Sequence, residues 1–173
     1  MSAWTGLIRE VPDFPKPGIL FRDITPLIRD PQGMVAVVEA LAECCQDWQV
    51  EAVAGIESRG FIFGAPLALH LGVGFVPVRK PGKLPPPTVG LSYSLEYGED
   101  RLEVSKHAFV EGQRVLVVDD LMATGGTAAA AGSLIQQTGA ILCGYSFVIE
   151  LAGLGGRTRL PESVPIHSLV TYE

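Results

Sequence analysis

Residues 115–127 contain two adjacent carboxylates followed by a loop of small residues, Val-Leu-Val-Val-Asp-Asp-Leu-Met-Ala-Thr-Gly-Gly-Thr. The loop offers closely spaced backbone N–H groups, hydroxyls and the N-terminus of a helix, which together suit a phosphate monoester. The residues that provide these groups are Thr124, Gly125, Gly126 and Thr127. Asp119 and Asp120 would repel a phosphate but can accept hydrogen bonds from a sugar diol. The pattern therefore predicts a ribose 5-phosphate site, with phosphate and diol bound by different parts of one loop.

A second loop of similar design lies at Gly55-Ile56-Glu57-Ser58-Arg59-Gly60. The flanking glycines permit an unusual backbone, and Arg59 places a cation beside exposed N–H groups. The turn therefore suits a second anion, and a pyrophosphate is the natural assignment. The alternative is a helix capped by Ser58 with a solvated arginine, and the sequence alone leaves it open.

Three cations follow in the loop from residue 79 to residue 87, Arg-Lys-Pro-Gly-Lys-Leu-Pro-Pro-Pro. Arg79, Lys80 and Lys83 could close over a polyanion, which makes this loop a candidate lid that excludes water from a reaction centre. An isolated run of charges is more often a solvated surface, and that alternative also stays open.

The elements that must position these groups alternate between strand and helix. The apolar run at 115–118 predicts a strand buried on both faces, and its carboxyl end is where open α/β sheets bind ligands. The alternation predicts an α/β fold with a mainly parallel, twisted sheet flanked by helices. The predicted strands are 50–56, 75–78, 115–118 and 141–149, the predicted helices are 31–47, 60–71 and 127–138, and a predicted hairpin has arms 93–97 and 101–104.

We expect a single domain over residues 1–173. Prolines make the segment 12–26 unsuitable for a helix, so it should form a stiff, extended arm. The domain is expected to comprise an N-terminal arm at 1–33, a core at 34–150 that includes a mobile loop at 80–106, and a C-terminal segment at 151–173.

The composition of the chain indicates which classes of binding partner and which cellular compartment to expect. The 173 residues carry a net charge of −6, which argues against binding to nucleic acid or to an anionic membrane. Three cysteines without a Cys-x-x-Cys spacing are typical of free thiols in a reducing cytoplasm. No segment resembles a secretion signal or is long enough to span a membrane. We therefore expect a cytoplasmic protein.

Several motifs together resemble those of the type I phosphoribosyltransferase family. Residues 115–127 are similar to its phosphoribosyl pyrophosphate loop. The arm Phe14-Pro15-Lys16-Pro17-Gly18 and the segment Ser92-Tyr93-Ser94-Leu95-Glu96-Tyr97-Gly98 resemble its adenine-specific members, and the likeness extends to Gly156-Arg157. The resemblance implies the type I phosphoribosyltransferase fold, with an N-terminal hood arm and a flexible active-site loop.

The resemblance also implies the reaction. The 5-phosphoribosyl group of phosphoribosyl pyrophosphate would be transferred to adenine, giving AMP and pyrophosphate through an oxocarbenium-like transition state. Mg²⁺ would be the cofactor, held mainly by the substrate and not by direct protein ligands. A homodimer is implied, and the resemblance leaves open whether Arg79 serves its own site or that of the neighbouring subunit.

The same resemblance assigns residues to the base. Phe21 and Leu121 would sandwich the purine ring, while the backbone of Leu20 and Arg22 would bind its Watson–Crick edge. Glu96 would face N7 and manage its proton, and Tyr97 would close the loop. These last two residues are the implied catalytic pair.

The remaining implied roles concern the sugar and the two anions. Asp119 and Asp120 would hold the ribose hydroxyls. The 5-phosphate would be bound by Ala123, Thr124, Gly125, Gly126 and Thr127. The pyrophosphate would be bound by Glu57, Ser58, Arg59, Arg79, Lys80 and Lys83, with a cis peptide between the first two.

Three alternatives compete with this interpretation. A 6-oxopurine could replace adenine, although an arm that selects a 6-amino group should discriminate against it. A phosphoribosyl-binding regulator without catalysis should carry a DNA-binding region or a basic face, and this acidic chain shows neither. A dinucleotide-binding module is disfavoured because no Gly-x-Gly-x-x-Gly follows a strand.

Overall fold

The computed structural model describes residues 3–94 and 98–173. In chain order its strands are β1 (Arg9–Pro12), β2 (Leu20–Asp23), β3 (Ala52–Ile56), β4 (Gly74–Val78), β5 (Thr88–Ser94), β6 (Glu99–Ser105), β7 (Arg114–Met122), β8 (Ile141–Leu151) and β9 (Ile166–Tyr172). Its α-helices are α1 (Thr25–Arg29), α2 (Pro31–Cys45), α3 (Gly60–Leu71) and α4 (Gly126–Gln137). Short 3₁₀ helices lie at Ala3–Leu7, Gln46–Trp48, Ala152–Leu154 and Gly156–Arg159.

Within the described residues, five parallel strands form the central sheet in the order β4–β3–β7–β8–β9. Helices α2 and α3 pack on one face, while α4 and the antiparallel hairpin β5–β6 pack on the other. Val115 and Val117 belong to the core beneath α4, whereas Leu116 and Val118 belong to the core beneath α2 and α3. The predicted α/β architecture is therefore confirmed, because the apolar run is buried on both faces.

Strand β7 is longer than its apolar run predicts. It continues through Asp119 and Asp120 to Met122, and this extension pairs with β8 from Asp119 opposite Phe147 to Met122 opposite Glu150. The two carboxylates therefore lie on a paired strand and not in the loop that follows it. A site on a strand is held more rigidly than one on a loop.

The helix boundaries follow the predicted capping residues. The side chain of Asp30 accepts a hydrogen bond from the backbone N–H of Gly33 at 2.6 Å, and Pro31 occupies the first position of α2. Helix α3 ends at Leu71 and is capped by Gly72, whose φ of +69° is the left-handed conformation that glycine adopts readily. Pro66 lies inside α3, and the helix is continuous around it.

Several parts of the fold differ from the prediction. Helix α1 begins at Thr25, inside the segment 12–26 that is predicted to be extended, and the first arm of the hairpin begins at Thr88, before the predicted residue 93. The arm predicted as an extended segment is folded into the antiparallel hairpin β1–β2, which the Arg9–Asp23 ion pair at 2.7 Å holds together. The strand β9 was not predicted, and it completes the sheet by pairing with β8. No helix among the described residues is long and apolar enough to cross a membrane.

Candidate active site

The loop after β7 encloses a small cavity at the carboxyl end of the sheet. Its volume is about 110 Å³, and the residues around it are Asp119, Leu121, Met122, Ala123, Thr124, Gly125, Gly126, Thr127 and Ala128. The five residues assigned to the 5-phosphate are therefore brought together around one concavity. Helix α4 begins at Gly126, so its N-terminus faces this space and favours an anion there.

Gly125 gives the loop its shape. Its φ is +78°, and a Cβ atom at this position would collide with the carbonyl oxygen of Gly156. Gly156 begins the last 3₁₀ helix, so the C-terminal part of the chain supports the loop from behind. Glycine is required here both for the backbone conformation and for the close approach of two chain segments.

The two carboxylates of β7 have different surroundings. Asp119 lines the cavity, whereas Asp120 is buried, with its Oδ2 atom 3.0 Å from Nε of Arg59. Burial raises the pKa of both side chains. The charge of Asp120 further raises the pKa of Asp119, while Arg59 opposes the shift in Asp120. Asp119 is therefore the carboxylate that faces the cavity, whereas Asp120 links β7 to the second loop.

We expect Asp119→Asn to raise the stability of the unliganded protein at neutral pH. The pKa of Asp119 is higher in the folded chain than the value near 3.9 of an unfolded aspartate. The stability that Asp119 contributes is therefore fully present below the unfolded pKa, and it is lost as the pH rises through the pKa of Asp119 in the folded chain. The midpoint temperature of the variant should exceed that of the wild type by an amount that grows from pH 4 to pH 7. The midpoint temperature should rise by roughly 2–4 °C for each kcal/mol added to the free energy of unfolding.

Thermal unfolding across this pH range, followed by circular dichroism, measures the difference. Asp47→Asn is the matched control, because Asp47 is exposed, lies in the 3₁₀ helix Gln46–Trp48 and is not among the residues around the cavity. It should leave the midpoint unchanged at every pH. A loss of stability in Asp119→Asn at neutral pH would contradict the prediction and would mean that hydrogen bonds to the carboxylate outweigh its burial.

The second loop joins β3 to α3, and its Glu57–Ser58 peptide is cis, as the resemblance implies. Gly60 lies so close to β7 that an added Cβ would be 2.7 Å from the carbonyl oxygen of Val118. The alternative of a helix capped by Ser58 with a solvated Arg59 is wrong. No side chain caps the N-terminus of α3 in the described structure, and Arg59 pairs with Asp120.

Glu57 forms hydrogen bonds with Arg79 and Lys80, the first two cationic residues of the candidate lid. Its carboxylate accepts hydrogen bonds from Nε and Nη2 of Arg79, each at 3.2 Å, and from the backbone N–H of Lys80 at 2.8 Å. These hydrogen bonds hold the pKa of Glu57 below its usual range, with those from Arg79 having the larger effect. The candidate lid is therefore attached to the second loop through Glu57, and the alternative of a free, solvated run of charges does not describe Arg79.

The remaining cations of the lid differ in their contacts. The ammonium of Lys80 pairs with the carboxylate of Asp100 on β6. The backbone oxygen of Lys83 accepts a hydrogen bond of 3.4 Å from Arg79. Glu96 and Tyr97, the implied catalytic pair, lie outside the described residues.

The residues assigned to the base lie on the hairpin β1–β2 and on β7. Leu20 and Phe21 are on β2, where the ring of Phe21 packs edge-on against Phe14 at 5.1 Å, and Leu121 lines the cavity. The guanidinium of Arg22 lies 3.7 Å from the centroid of the Tyr172 ring. The segment implied to bind adenine is therefore anchored to β9.

Sequence reasoning missed several supporting residues. Tyr172 lies in the C-terminal segment outside every motif, and Gly156 belongs to the Gly156-Arg157 stretch, for which the resemblance implied no role. Tyr93 and Asp100 face each other across the hairpin β5–β6, and only the strand register brings them together. Glu150 is buried and forms a two-pronged ion pair with Arg157, with both N–O distances 2.7 Å, next to the segment that supports Gly125.

The parallel sheet and the glycine loop after β7 are typical of a phosphoribosyl transferase domain, and residues 27–149 match the model of that family. An adenine phosphoribosyltransferase of Synechococcus is 61% identical over 167 residues, which cover 96% of this chain and 97% of that protein. The chain therefore belongs to the adenine phosphoribosyltransferase family.

Solved structures agree with this assignment. The crystal structure of adenine phosphoribosyltransferase from Thermoanaerobacter pseudethanolicus has a TM-score of 0.93 and 50% identity, with 97% of each chain covered. The Saccharomyces cerevisiae protein has a TM-score of 0.91 and 44% identity, with 96% of each chain covered. It was solved with adenine and an imino-altritol bisphosphate. The phosphoribosyltransferase fold predicted from the sequence is confirmed.

Proposed function

We propose that this protein transfers the 5-phosphoribosyl group of phosphoribosyl pyrophosphate to adenine and releases AMP and pyrophosphate, as a step of purine salvage. The observation that carries the proposal is the cavity after β7, where the N-terminus of α4 and the glycine loop meet the carboxylate of Asp119. This arrangement fits a ribose 5-phosphate, with the phosphate at the loop and the hydroxyls at the carboxylate. The choice of adenine as the acceptor is supported by the relatives, which are adenine phosphoribosyltransferases.

The proposed mechanism is mainly positioning and electrostatic stabilisation. As pyrophosphate leaves C1 of the ribose, positive charge builds on the sugar, and Asp119 lies where it can hold the ribose hydroxyls. The cations Arg59, Arg79, Lys80 and Lys83 are assigned to the departing pyrophosphate. The backbone of Leu20 and Arg22 would orient the base, and Glu96 would take the proton at N7.

Mg²⁺ is part of the proposal, as the resemblance implies, with the substrate as its main ligand. Among residues 3–94 and 98–173, no group of three metal-ligating side chains comes together. Asp119 supplies oxygen atoms beside the cavity, and oxygen is the ligand type that Mg²⁺ prefers. When bound, Mg²⁺ would neutralise charge on the leaving pyrophosphate. The chain's own part is to hold the pyrophosphate and ribose in place.

The experiment that tests this function measures pyrophosphate release from phosphoribosyl pyrophosphate with adenine, hypoxanthine, guanine and xanthine offered separately. Each reaction is run with Mg²⁺ and again with excess EDTA. Turnover with adenine alone, abolished by EDTA, is the expected result. Turnover with a 6-oxopurine would mean that the arm has been misinterpreted. Tight binding of phosphoribosyl pyrophosphate without turnover on any base would favour the regulator.

We expect Tyr172→Ala to raise the KM for adenine while leaving the KM for phosphoribosyl pyrophosphate unchanged. Arg22 has only 10% of its side chain exposed, and it stacks on Tyr172 while also pairing with Glu10. Loss of the ring removes the contact that fixes the adenine-binding segment. A cation–π contact contributes about 0.5–2 kcal/mol, which corresponds to roughly a 2- to 30-fold rise in the KM for adenine.

Steady-state kinetics with each substrate varied in turn measures both KM values. Tyr172→Phe keeps the ring face and should stay within about twofold of the wild type, since the quadrupole of the ring is retained. Equal increases in both KM values for Tyr172→Ala would instead indicate a general loss of structure.

We further propose a homodimer that works in the cytoplasm. The resemblance supports the dimer and the cysteine content supports the compartment, because all three thiols are free in the structure. Light scattering coupled to gel filtration measures the oligomeric state. A mass of one chain across the micromolar range would reject the dimer.

A further inference from the structure

Each of the two proposed anion subsites has a donor group that is already engaged by the hairpin β5–β6. In the 5-phosphate loop, the hydroxyl oxygen of Thr127 lies 3.2 Å from the hydroxyl oxygen of Tyr93. In the lid, the ammonium of Lys80 pairs with the carboxylate of Asp100. Tyr93 and Asp100 also contact each other, because the Tyr93 hydroxyl donates to Oδ2 of Asp100 at 3.1 Å. One continuous polar chain therefore joins the two subsites.

The direction of the hydrogen bonds follows from the number of protons. Although burial opposes it, the hydrogen bond from Lys80 holds the pKa of Asp100 below its usual range, so Asp100 is an ionised acceptor. A phenol has one proton, and Tyr93 gives it to Asp100. Tyr93 must then accept the proton of Thr127. The order is Thr127 to Tyr93 to Asp100, with Lys80 donating to Asp100 from the other side.

Both ends of this chain face a stronger acceptor when substrate binds. A 5-phosphate competes with the neutral phenol oxygen for the Thr127 proton, and ionised acceptors form the stronger hydrogen bonds. A pyrophosphate competes with Asp100 for Lys80 in the same way. Tyr93 and Asp100 are directly opposed in the register of β5 and β6. If either of these two side chains is displaced from its subsite, the hairpin therefore moves the other side chain as well.

We propose that Tyr93 and Asp100 are positioning residues that couple the two anion subsites, so that a phosphate in the loop releases Lys80 toward the pyrophosphate. The inference rests on the proposed function, since it takes the two subsites from it. By linkage, each anion then raises the affinity for the other by the same factor. We expect this factor to be about 5-fold or more, the lower end of what coupled sites show.

The test is titration calorimetry with ribose 5-phosphate and magnesium pyrophosphate. The Kd of pyrophosphate is measured alone and with saturating ribose 5-phosphate, and the ratio of the two values gives the coupling factor. Tyr93→Phe removes the bridging hydroxyl but keeps the ring, and its ratio should fall toward one. Asp100→Asn should tighten pyrophosphate binding alone by about 2- to 5-fold, because a partly exposed ion pair of this kind contributes up to about 1 kcal/mol. Its ratio should also fall toward one.

Arg101→Gln is the control on the same hairpin. Arg101 pairs with Glu103 at 3.3 Å, and the Arg101 side chain does not belong to the polar chain that joins the subsites. The variant should keep the wild-type ratio, and matching circular dichroism spectra should show that all three variants are folded. A wild-type ratio in both Tyr93→Phe and Asp100→Asn would overturn the coupling.

The same titrations separate a failure of the coupling from a failure of the proposed function. If the wild-type protein binds both anions with a ratio of one, the coupling is wrong while the two subsites remain. If the wild-type protein binds neither anion, the subsites are wrong, and both proposals fall together.

Discussion

Gly125→Ala is expected to lower kcat/KM for phosphoribosyl pyrophosphate by about 100-fold or more, since small misplacements of binding groups have effects of this size. The added Cβ would collide with the carbonyl oxygen of Gly156 and lie 2.9 Å from its carbonyl carbon. The loop would have to move, and its N–H groups would no longer point at one phosphate. The φ of +78° adds a further cost of about 1–2 kcal/mol for any residue with a Cβ.

Gly112→Ala separates these two effects, because Gly112 has the same φ of +78° and no atom within 4 Å of the added Cβ. This control should lose stability through backbone strain while keeping its affinity for ribose 5-phosphate. Calorimetry of ribose 5-phosphate binding and urea unfolding, applied to both variants, give the comparison. Wild-type affinity in Gly125→Ala would show that the loop does not bind the phosphate in the way proposed.

The sheet and the loop could be predicted because their signals are local. The four apolar residues at 115–118 predict a strand that is buried on both faces. The run of small residues at 123–127 is typical of a loop that approaches a phosphate closely. The Asp30-Pro31 pair fixes the start of α2 through a side-chain cap and a proline that fits the first turn. In each case the residues of the segment itself determine its structure, so the prediction does not depend on residues far away in the sequence.

The parts that were missed depend on distant partners. Prolines restrict the arm to extended backbone, but β2 forms only because Arg9–Pro12 lies alongside it. The residues of β9 are mostly half-buried at the edge of the sheet, so they lack the apolar run of a central strand. The predicted hairpin arms, 93–97 and 101–104, leave Asp100 in the turn between them, whereas β6 begins at Glu99 and the register sets Asp100 opposite Tyr93. A single sequence does not contain these pairings.

Glu96→Ala is expected to lower kcat by about 10²- to 10⁴-fold, the range for loss of a general acid or base. The role implied for Glu96 is to manage the proton at N7 of adenine, which an alanine cannot do. Glu96→Gln is the matched variant, since it keeps the size and a hydrogen-bonding carbonyl but cannot take a proton at neutral pH. Both variants should keep the wild-type KM for phosphoribosyl pyrophosphate, which binds at other residues. Initial rates of AMP formation measure these parameters.

An acceptor without N7 tests the atom on which Glu96 acts. With 7-deazaadenine the proton at N7 no longer exists, so the wild-type enzyme should already be slow and Glu96→Ala should add little further loss. Effects that fail to add in this way indicate that residue and atom act together. If the full loss persists with 7-deazaadenine, Glu96 does not act at N7. If Glu96→Ala turns over adenine at the wild-type rate, Glu96 has no catalytic role, and the proton must be managed elsewhere.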